Sequence, residues 1–174
     1  MIALFLPSLR GGGAERMMLN LARGLAERGL AVDLVLAKAE GPYLNQVPSE
    51  VRVIDLGAHR VLVSLPGLVR YLRRKRPAVL LSTLPHANIV ALWARRLSRT
   101  STGVVVRASN TLSRVAQNAA LIKVRLFPFL VRYFYPLADG IVAVSQGVAE
   151  DLIRITGLPP NRIQVIYNPV VTHE

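Results

Sequence analysis

The sequence predicts a doubly wound α/β fold, a Rossmann-like parallel sheet of about six or seven strands with helices on both faces. Short apolar runs alternate with amphipathic helical segments along nearly the whole chain, and this alternation is typical of α/β domains. Some runs, such as Ala78 to Ser82 (AVLLS), are continuously apolar, as expected for strands buried on both faces of a parallel sheet. A length of 174 residues fits one such domain.

The first half of the chain alternates strands with three helices. The first helix carries Met17, Leu21 and Leu25 on one face, which indicates a core-packing stripe, and Gly29 ends it. The second helix ends in four consecutive cations before Pro77, where positive charge complements the helix dipole. The predicted strands are 2–6, 31–37, 51–56 and 78–82, and the predicted helices are 14–28, 65–76 and a third that begins within 83–88 and runs to about 98.

The second half continues the alternation with one irregular insertion. Residues 108–137 begin with a polar stretch and lead into a helical region, which Pro128 is expected to kink. Ser145 is placed to cap the last helix. The predicted strands are 103–107, 140–145 and 163–166, and the last helix covers 146–155.

The most informative local feature is the glycine turn Gly11-Gly12-Gly13, between the first strand and the first helix. Glycines let backbone N–H groups approach a ligand closely and allow positive φ. The helix that follows directs the positive end of its dipole to the same place, which favours phosphate. The spacing matches neither G-x-G-x-x-G nor the P-loop, so a simple glycine-rich turn remains the alternative.

Polar segments follow three of the predicted strands directly. The glycine turn follows the first strand, residues 84–88 follow the fourth, and residues 107–110 follow the fifth. Ligands of doubly wound sheets bind outside the carboxyl ends of the strands, where the strand order reverses. We therefore expect these three segments to converge on one edge of the sheet, although they are far apart in sequence.

The charge distribution indicates an anionic partner. The net charge is +12, and the 83 residues between Asp55 and Asp139 contain 14 Lys or Arg but no Asp or Glu. Such asymmetry is typical of proteins that meet nucleic acid, an anionic membrane surface or phosphorylated substrates. Solvated helix faces with spare arginines are the alternative interpretation.

Several classes of function are disfavoured by the residue types available. The absence of cysteine excludes disulfides and thiolate metal sites and agrees with a reducing cytoplasm. The three histidines are scattered, so no metal site is expected. There is no G-x-S-x-G elbow and no acidic pair suited to acid–base catalysis near the predicted edge. No apolar run is long enough to span a bilayer, and no basic leader precedes the first strand.

Taken together, the motifs resemble the N-terminal domain of a bacterial family 4 glycosyltransferase, one lobe of a GT-B fold. The resemblance covers essentially the whole chain. The segments that carry it are Gly12 to Glu15, Pro85 to Asn88, Arg107 to Ser113, Ile141 to Val148 and Val165 to Val170.

The resemblance implies a retaining transferase that moves a sugar from a nucleotide-sugar donor, used as co-substrate, to a saccharide or lipid-linked acceptor. In such enzymes the N-terminal domain mostly holds the acceptor, while a second domain holds the nucleotide. The resemblance therefore implies that residues 1–166 form the acceptor-side domain and that 167–174 begin an interdomain linker. The nucleotide-sugar domain is absent from this sequence, and the fragment alone is expected to be inactive.

The resemblance also assigns candidate site residues. Gly11, Gly12, Gly13 and Glu15 would approach the donor phosphate or sugar. Many relatives place a histidine after strand five, but here Ser109 takes that position, so the role cannot be transferred. No catalytic residue is assigned and no metal is expected. The candidate contacts to acceptor or donor are His86, Asn88, Arg107, Ser109 and Asn110.

A basic and aromatic segment provides a candidate membrane surface. Arg114, Lys123, Arg125 and Arg132 interleave with bulky apolar residues, as in helices that rest on anionic lipid. This suggests peripheral attachment at the inner face of the cytoplasmic membrane, unless the aromatics belong to the core. The alternative function is a non-enzymatic, stand-alone phosphate- or nucleotide-binding Rossmann module. A nucleic-acid-binding protein is a third hypothesis, but no nucleic-acid partner is expected, because only the charge argues for one and no recognised motif accompanies it.

Overall fold

The computed structural model describes residues 1–113 and 127–168. Within these residues strands and helices alternate as predicted. The strands are β1 (Ile2–Leu6), β2 (Val32–Leu36), β3 (Val51–Asp55), β4 (Val79–Thr83), β5 (Gly103–Ala108), β6 (Gly140–Ala143) and β7 (Ile163–Val165). The helices are α1 (Gly13–Glu27), α2 (Leu65–Lys75), α3 (Pro85–Ser98), α4 (Phe127–Phe134) and α5 (Gln146–Thr156). Short 3-10 turns cover Pro42–Gln46, Val61–Ser64, Tyr135–Leu137 and Pro160–Arg162.

The seven strands form one parallel sheet in the order β3-β2-β1-β4-β5-β6-β7. The chain starts in the middle of the sheet with β1 and adds β2 and β3 on one side. It then crosses to the other side of β1 and adds β4, β5, β6 and β7 there. The order therefore reverses between β1 and β4, and this is where doubly wound sheets bind ligands. The prediction of a doubly wound, Rossmann-like sheet is confirmed.

Alternating side chains divide the core into two layers. On β1, Leu4 and Leu6 pack with Met18 and Ala22 of α1 on one face of the sheet. Phe5 points to the other face and belongs to a cluster with buried residues of α2, α3 and α5. Neighbouring side chains of a strand point to opposite faces of the sheet. Because crossovers between parallel strands are right-handed, helices that lead towards one edge of the sheet lie on one face, and helices that lead towards the other edge lie on the other face.

Element boundaries differ from the predictions by one or two residues. The α2 helix ends at Lys75 because Arg76 adopts a left-handed conformation with φ of 44°. The predicted cap of the last helix is confirmed: Ser145 Oγ accepts a hydrogen bond from the Val148 N–H at 3.3 Å. The expected kink at Pro128 concerns the junction with residues 114–126, which lie outside the described residues.

A buried carboxylate ties β2 to its neighbours. Arg52 on β3 donates from Nε and Nη2 to Asp33 at 2.9 and 2.6 Å, and the Tyr71 hydroxyl donates to the same carboxylate at 2.7 Å. Burial and the hydrogen bond to Asp33 raise the pKa of Tyr71 well above its usual range. Asp33 is thus fully occupied by structural contacts, in the middle of a strand and away from the carboxyl edge of the sheet.

Candidate functional site

A cavity of about 420 Å³ lies at the carboxyl edge of the sheet, where the strand order reverses. Segments that are distant in sequence meet there, as the sequence predicts. The glycine turn after β1, the residue that follows β4 and the end of β5 all contribute to its wall. The lining residues are Gly12, Gly13, Ala14, Glu15, Leu84, Arg107, Ser109, Asn110 and Asn168.

The glycine turn is held by the loop that follows β2. Gly11 adopts φ of +111°, a conformation available to glycine at little cost. Across the turn, Leu9 N–H donates to the Glu40 carbonyl at 2.9 Å, and Tyr43 N–H donates to the Leu9 carbonyl at 3.3 Å. Gly41 approaches the backbone of Leu9 so closely that a Cβ there would collide with its carbonyl group. Gly11 itself is exposed and does not line the cavity.

The N-terminus of α1 faces the cavity with no side-chain cap. Gly12 occupies the N-cap position, and only its carbonyl is used by the helix, accepting from Arg16 N–H at 3.0 Å. A Cβ on Gly12 would collide with the Glu15 carboxylate, so this side chain folds back over the turn. A Cβ on Gly13 would meet open space. Both glycines are exposed, but the Glu15 carboxylate lies against Gly12, whereas the space beside Gly13 is open.

Arg107 is the buried cation of the cavity. Its residue is 4% exposed, and its guanidinium donates to Thr83 Oγ1 at 3.0 Å and to Asn168 Oδ1 at 2.6 Å. Both acceptors are neutral, and burial lowers the pKa of Arg107 below its usual value. Parallel register places Arg107 beside Thr83, so the two side chains leave adjacent strands at the same height.

Asn88 lies beneath the cavity and does not line it. The residue is completely buried on α3, and its Nδ2 donates to the Arg107 carbonyl at 3.0 Å and to the Tyr135 hydroxyl at 2.8 Å. Burial raises the pKa of Tyr135 to about 12, although the hydrogen bond from Asn88 opposes the shift. Asn88 therefore holds the strand that carries Arg107.

Leu84 has a strained backbone at the rim of the cavity. Its φ of 74° and ψ of 135° lie in a region that residues with a side chain rarely occupy. The strain occurs where β4 turns into α3, and the Leu84 carbonyl accepts the first helical hydrogen bond from Asn88 N–H at 2.9 Å. Strain of this kind is stored at functional sites more often than elsewhere.

His86 stands beside the cavity in the first turn of α3 and is exposed to solvent. Crowding by neighbouring protein atoms lowers the pKa of His86 below its usual value of 6.5, and the negative charge of Glu15 acts in the opposite direction. The imidazole therefore favours its neutral form, in which one nitrogen can accept and the other can donate a hydrogen bond.

The structure thus brings together six of the predicted site residues around one cavity: Gly12, Gly13, Glu15, Arg107, Ser109 and Asn110. Gly11, His86 and Asn88 lie next to it without lining it. Of the predicted membrane surface, Arg114, Lys123 and Arg125 fall outside the described residues, while Arg132 is exposed on α4. Within residues 1–113 and 127–168, no three His, Asp or Glu side chains lie close enough to hold one metal ion.

Three lining residues, Ala14, Leu84 and Asn168, are not among the predicted site residues, although each lies in a segment that the sequence analysis singled out. Leu84 gives no signal in the sequence because its strain depends on how β4 and α3 are joined in space. Asn168 belongs to the segment that follows β7 and reaches Arg107 across 61 residues. Asn168 lies three residues after β7, within the segment Val165 to Val170 that carries the family resemblance, and this place near a strand end is the signal that could have found it.

A larger and more apolar cavity of about 510 Å³ adjoins the first one through Arg107. It lies between α1 and the sheet face that α1 covers only in part. Its apolar wall is formed by Met17, Leu21, Leu25, Leu81, Val142 and Ile166. In the described part of the chain, no helix has the length and hydropathy needed to cross a bilayer.

Known proteins resemble this chain in sequence profile and in fold. Residues 11–174 match the sequence profile of the family described as Glycosyltransferase Family 4. No curated protein matches the chain by sequence. The chain is similar in structure to Anabaena Alr3699/HepE in complex with UDP, with 21% identity and a TM-score of 0.70, covering 97% of this chain and 44% of that one.

Two further solved structures show the same fold. The lipopolysaccharide outer core galactosyltransferase WaaB in its apo form is 16% identical with a TM-score of 0.71, covering 97% of this chain and 46% of that one. Sucrose-phosphate synthase from Thermosynechococcus elongatus is 16% identical with a TM-score of 0.69, covering 95% and 47%. The chain therefore spans somewhat less than half the length of the structures that it matches.

Proposed function

The chain belongs to Glycosyltransferase Family 4, and we propose that it forms the acceptor-side half of a retaining enzyme that transfers a sugar from a nucleotide-sugar donor. The observation that carries the proposal is the cavity at the strand-order reversal, in which a glycine turn, an uncapped helix N-terminus and a buried guanidinium meet. This combination suits the phosphate groups of a nucleotide sugar.

The proposed donor is supported by the ligands of the structural neighbours. HepE has been solved with UDP and with UDP-glucose, and its fold is shared by this chain. In this chain the accessible backbone at Gly13 and the guanidinium of Arg107 line the same cavity, so phosphate oxygens can meet both. Ser109 and Asn110 add polar groups suited to the hydroxyls of a sugar or a saccharide acceptor.

We further propose that residues 1–166 are one domain of a two-domain enzyme and that the cavity is completed by a second domain. The matched structures are more than twice as long as this chain. Catalysis by closure of two domains excludes water from the reacting groups and completes the set of contacts.

The direct test is a comparison of two proteins, the 174-residue chain and the product of its complete reading frame. We expect the longer protein to release nucleoside diphosphate from a nucleotide sugar in the presence of a saccharide or lipid-linked acceptor, and the 174-residue chain to show no detectable release. Turnover by the 174-residue chain alone would show that no second domain is needed. Tight nucleotide binding without turnover by the complete product would favour a stand-alone binding module.

We also propose that the protein rests on the inner face of an anionic membrane. On α4, Phe129 and Tyr133 are 69% and 79% exposed, and Arg132 lies exposed between them. By contrast Phe134 packs edge-on against Trp93, with ring centroids 5.4 Å apart. The aromatics are therefore divided between core and surface, and the exposed ones have the apolar and cationic character of an interfacial helix.

Vesicle binding tests the membrane proposal. The complete protein should sediment with phosphatidylglycerol vesicles and less with phosphatidylcholine vesicles, and added salt should weaken binding to the former. Replacing both exposed aromatics, Phe129→Ser with Tyr133→Ser, should reduce the bound fraction. The matched control is Leu30→Ser, since Leu30 is 44% exposed in the turn after α1. Equal loss in both variants would contradict a surface centred on α4.

A further inference from the structure

The buried guanidinium of Arg107 has no acidic partner among the described residues. The ion pairs found there involve Arg10, Lys38, Arg52 and Arg95, and the side chain of Arg107 meets only the neutral oxygens of Thr83 and Asn168. Removing a guanidinium from water costs several kcal/mol unless an opposite charge compensates. The hydrogen bonds of Arg107 to neutral oxygens therefore offset only part of the free energy needed to remove its guanidinium from water.

Two other buried charges among the described residues lie away from the rim cavity. The Asp33 carboxylate is held by Arg52 and Tyr71 through three hydrogen bonds. The Asp151 carboxylate is 3% exposed as a residue and accepts from both the backbone N–H and the hydroxyl of Ser113. Neither carboxylate lines the rim cavity, whereas Arg107 does. Asp151, like Arg107, meets only neutral groups, but of the two only Arg107 lies where a ligand can reach it.

The glycine turn, in contrast, already faces a negative charge. The Glu15 side chain folds over Gly12, and it sits in the first turn of α1, where a carboxylate interacts favourably with the helix dipole. An incoming phosphate would meet repulsion from Glu15 at this end of the cavity and attraction from Arg107 at the other. The electrostatics of the cavity therefore favour the strand side over the helix N-terminus.

We propose that Arg107 is the principal anion-binding residue of the cavity and that it takes the phosphate oxygens of the ligand, while the charge of Glu15 keeps them away from Gly12. This inference rests on the proposed function and specifies how its substrate is held. A guanidinium has five donors in a planar fork, and two are used by Thr83 and Asn168. The others can bind phosphate oxygens in the paired geometry that arginine favours.

The phosphate can come from two sources, the diphosphate of the donor or a phosphate group on the acceptor. The experiment therefore uses pyrophosphate as the probe of the shared chemistry and UDP as the competitor. Calorimetric titration of the 174-residue chain with pyrophosphate gives the affinity, and thermal unfolding without ligand gives the stability. If saturating UDP blocks pyrophosphate, the donor supplies the phosphate; if both bind together, the acceptor does.

The decisive variant is Arg107→Met, which removes the charge and keeps much of the side-chain volume. Pyrophosphate affinity should fall by about ten-fold or more, as expected for the loss of hydrogen bonds to a charged group. Without ligand, the variant should differ little in stability from the parent, because relief from burying an uncompensated charge offsets the loss of the hydrogen bonds to Thr83 and Asn168. Arg154→Met, at an exposed site on α5, is the matched control and should change neither quantity.

A second variant tests the inference even if Arg107→Met does not fold. Glu15→Gln removes the negative charge beside the cavity without changing the shape of the side chain, and pyrophosphate affinity should rise by about five-fold, the size of a single nearby charge interaction screened by solvent. Unchanged affinity in both variants would overturn the inference, as would failure of pyrophosphate to bind the parent chain at millimolar concentration.

The outcome also separates this inference from the proposed function. If the complete enzyme transfers sugar equally well with Arg107→Met, the assignment of Arg107 fails while the proposed function stands. If pyrophosphate binding depends on Arg107 but no nucleotide sugar is turned over by the complete product, the proposed transferase function fails while the anion site stands.

Discussion

Asn88 donates a hydrogen bond from Nδ2 to the backbone carbonyl of Arg107, at 3.0 Å, and the same nitrogen reaches the Tyr135 hydroxyl at 2.8 Å. A completely buried amide on α3 thus fixes the strand position from which the Arg107 side chain enters the rim cavity. Tyr135 extends the connection to the 3-10 turn that precedes β6. One side chain thus joins α3, β5 and the 3-10 turn Tyr135–Leu137.

The first prediction concerns this connection. Asn88→Ala should lower the free energy of unfolding by about 1–3 kcal/mol, because the Arg107 carbonyl and the Tyr135 hydroxyl would lose a buried partner. Chemical denaturation at neutral pH measures the change. Asn45→Ala, at an exposed position, is the control and should lie within about 0.5 kcal/mol of the parent. A similar small effect for Asn88→Ala would show that the connection contributes little.

The second prediction concerns the loop that supports the glycine turn. Gly41 has φ of +116°, and a Cβ there would collide with the Leu9 carbonyl. Gly41→Ala should therefore cost about 3 kcal/mol or more, since backbone strain and a collision act together. Gly29→Ala provides the matched control: φ is +78°, but its Cβ would meet open space, so it should cost only about 1–2 kcal/mol. If both variants lost the same free energy of unfolding, the backbone around Leu9 would have to move easily away from the new side chain.

The third prediction separates folding from ligand binding at the glycine turn. A side chain at Gly13 would point into open space, so Gly13→Val should leave the midpoint of thermal unfolding nearly unchanged. In the complete enzyme the same substitution should strongly reduce sugar transfer, because the new side chain would occupy space near the proposed phosphate position. Parallel losses of stability and activity would favour a purely structural role for the turn.

The fourth prediction concerns the strained residue after β4. Alanine at position 84 retains the strain imposed by φ of 74°, whereas glycine removes it. Leu84→Gly should therefore be more stable than Leu84→Ala by about 1–2 kcal/mol, the cost of holding a side chain in this region. In the interior of a helix or strand, by contrast, a glycine variant is less stable than the alanine variant. Chemical denaturation of the two variants measures the difference between their free energies of unfolding. A more stable alanine variant would show that the backbone at position 84 relaxes when the side chain is changed.

The fifth prediction is a pH dependence from His86. Its pKa in the folded protein lies below the value of 6.5 expected for the unfolded chain, so folding disfavours protonation. The contribution to stability is complete above pH 6.5 and is lost as the pH falls through the folded-state pKa. Urea denaturation between pH 5 and 7.5 should show a shallower decline for His86→Gln than for the parent. If stability declined equally with falling pH in the parent and in His86→Gln, His86 would not be the cause of the pH dependence.

Much of the architecture could be predicted from the sequence because it is encoded in local patterns. Apolar alternation located all seven strands of the described sheet, and Ser145 was correctly predicted as a helix cap. Convergence of the glycine turn with residues 107–110 followed from the rule for parallel sheets. Asn88 was grouped with the ligand contacts because it follows β4, but the period of α3 turns it into the core.

The charges of the site show what local patterns could not provide. The basic composition predicted an anionic partner, but it did not distinguish Arg107 from the other arginines. Arg107 differs because the sheet buries it beside Thr83 and brings Asn168 to it across 61 residues. In the same way, no local pattern separates exposed Tyr133 on α4 from buried Tyr135 in the 3-10 turn that follows it.

The order of residues alone determined the alternation of strands and helices, the doubly wound sheet and the edge at which the polar segments converge, since these depend on short periodicities and on the handedness of the chain. Tertiary packing alone decided which side chains at that edge line the cavity and which support the backbone. Burial, strain and the pairing of charges arise between segments far apart in the chain, and no local pattern records them.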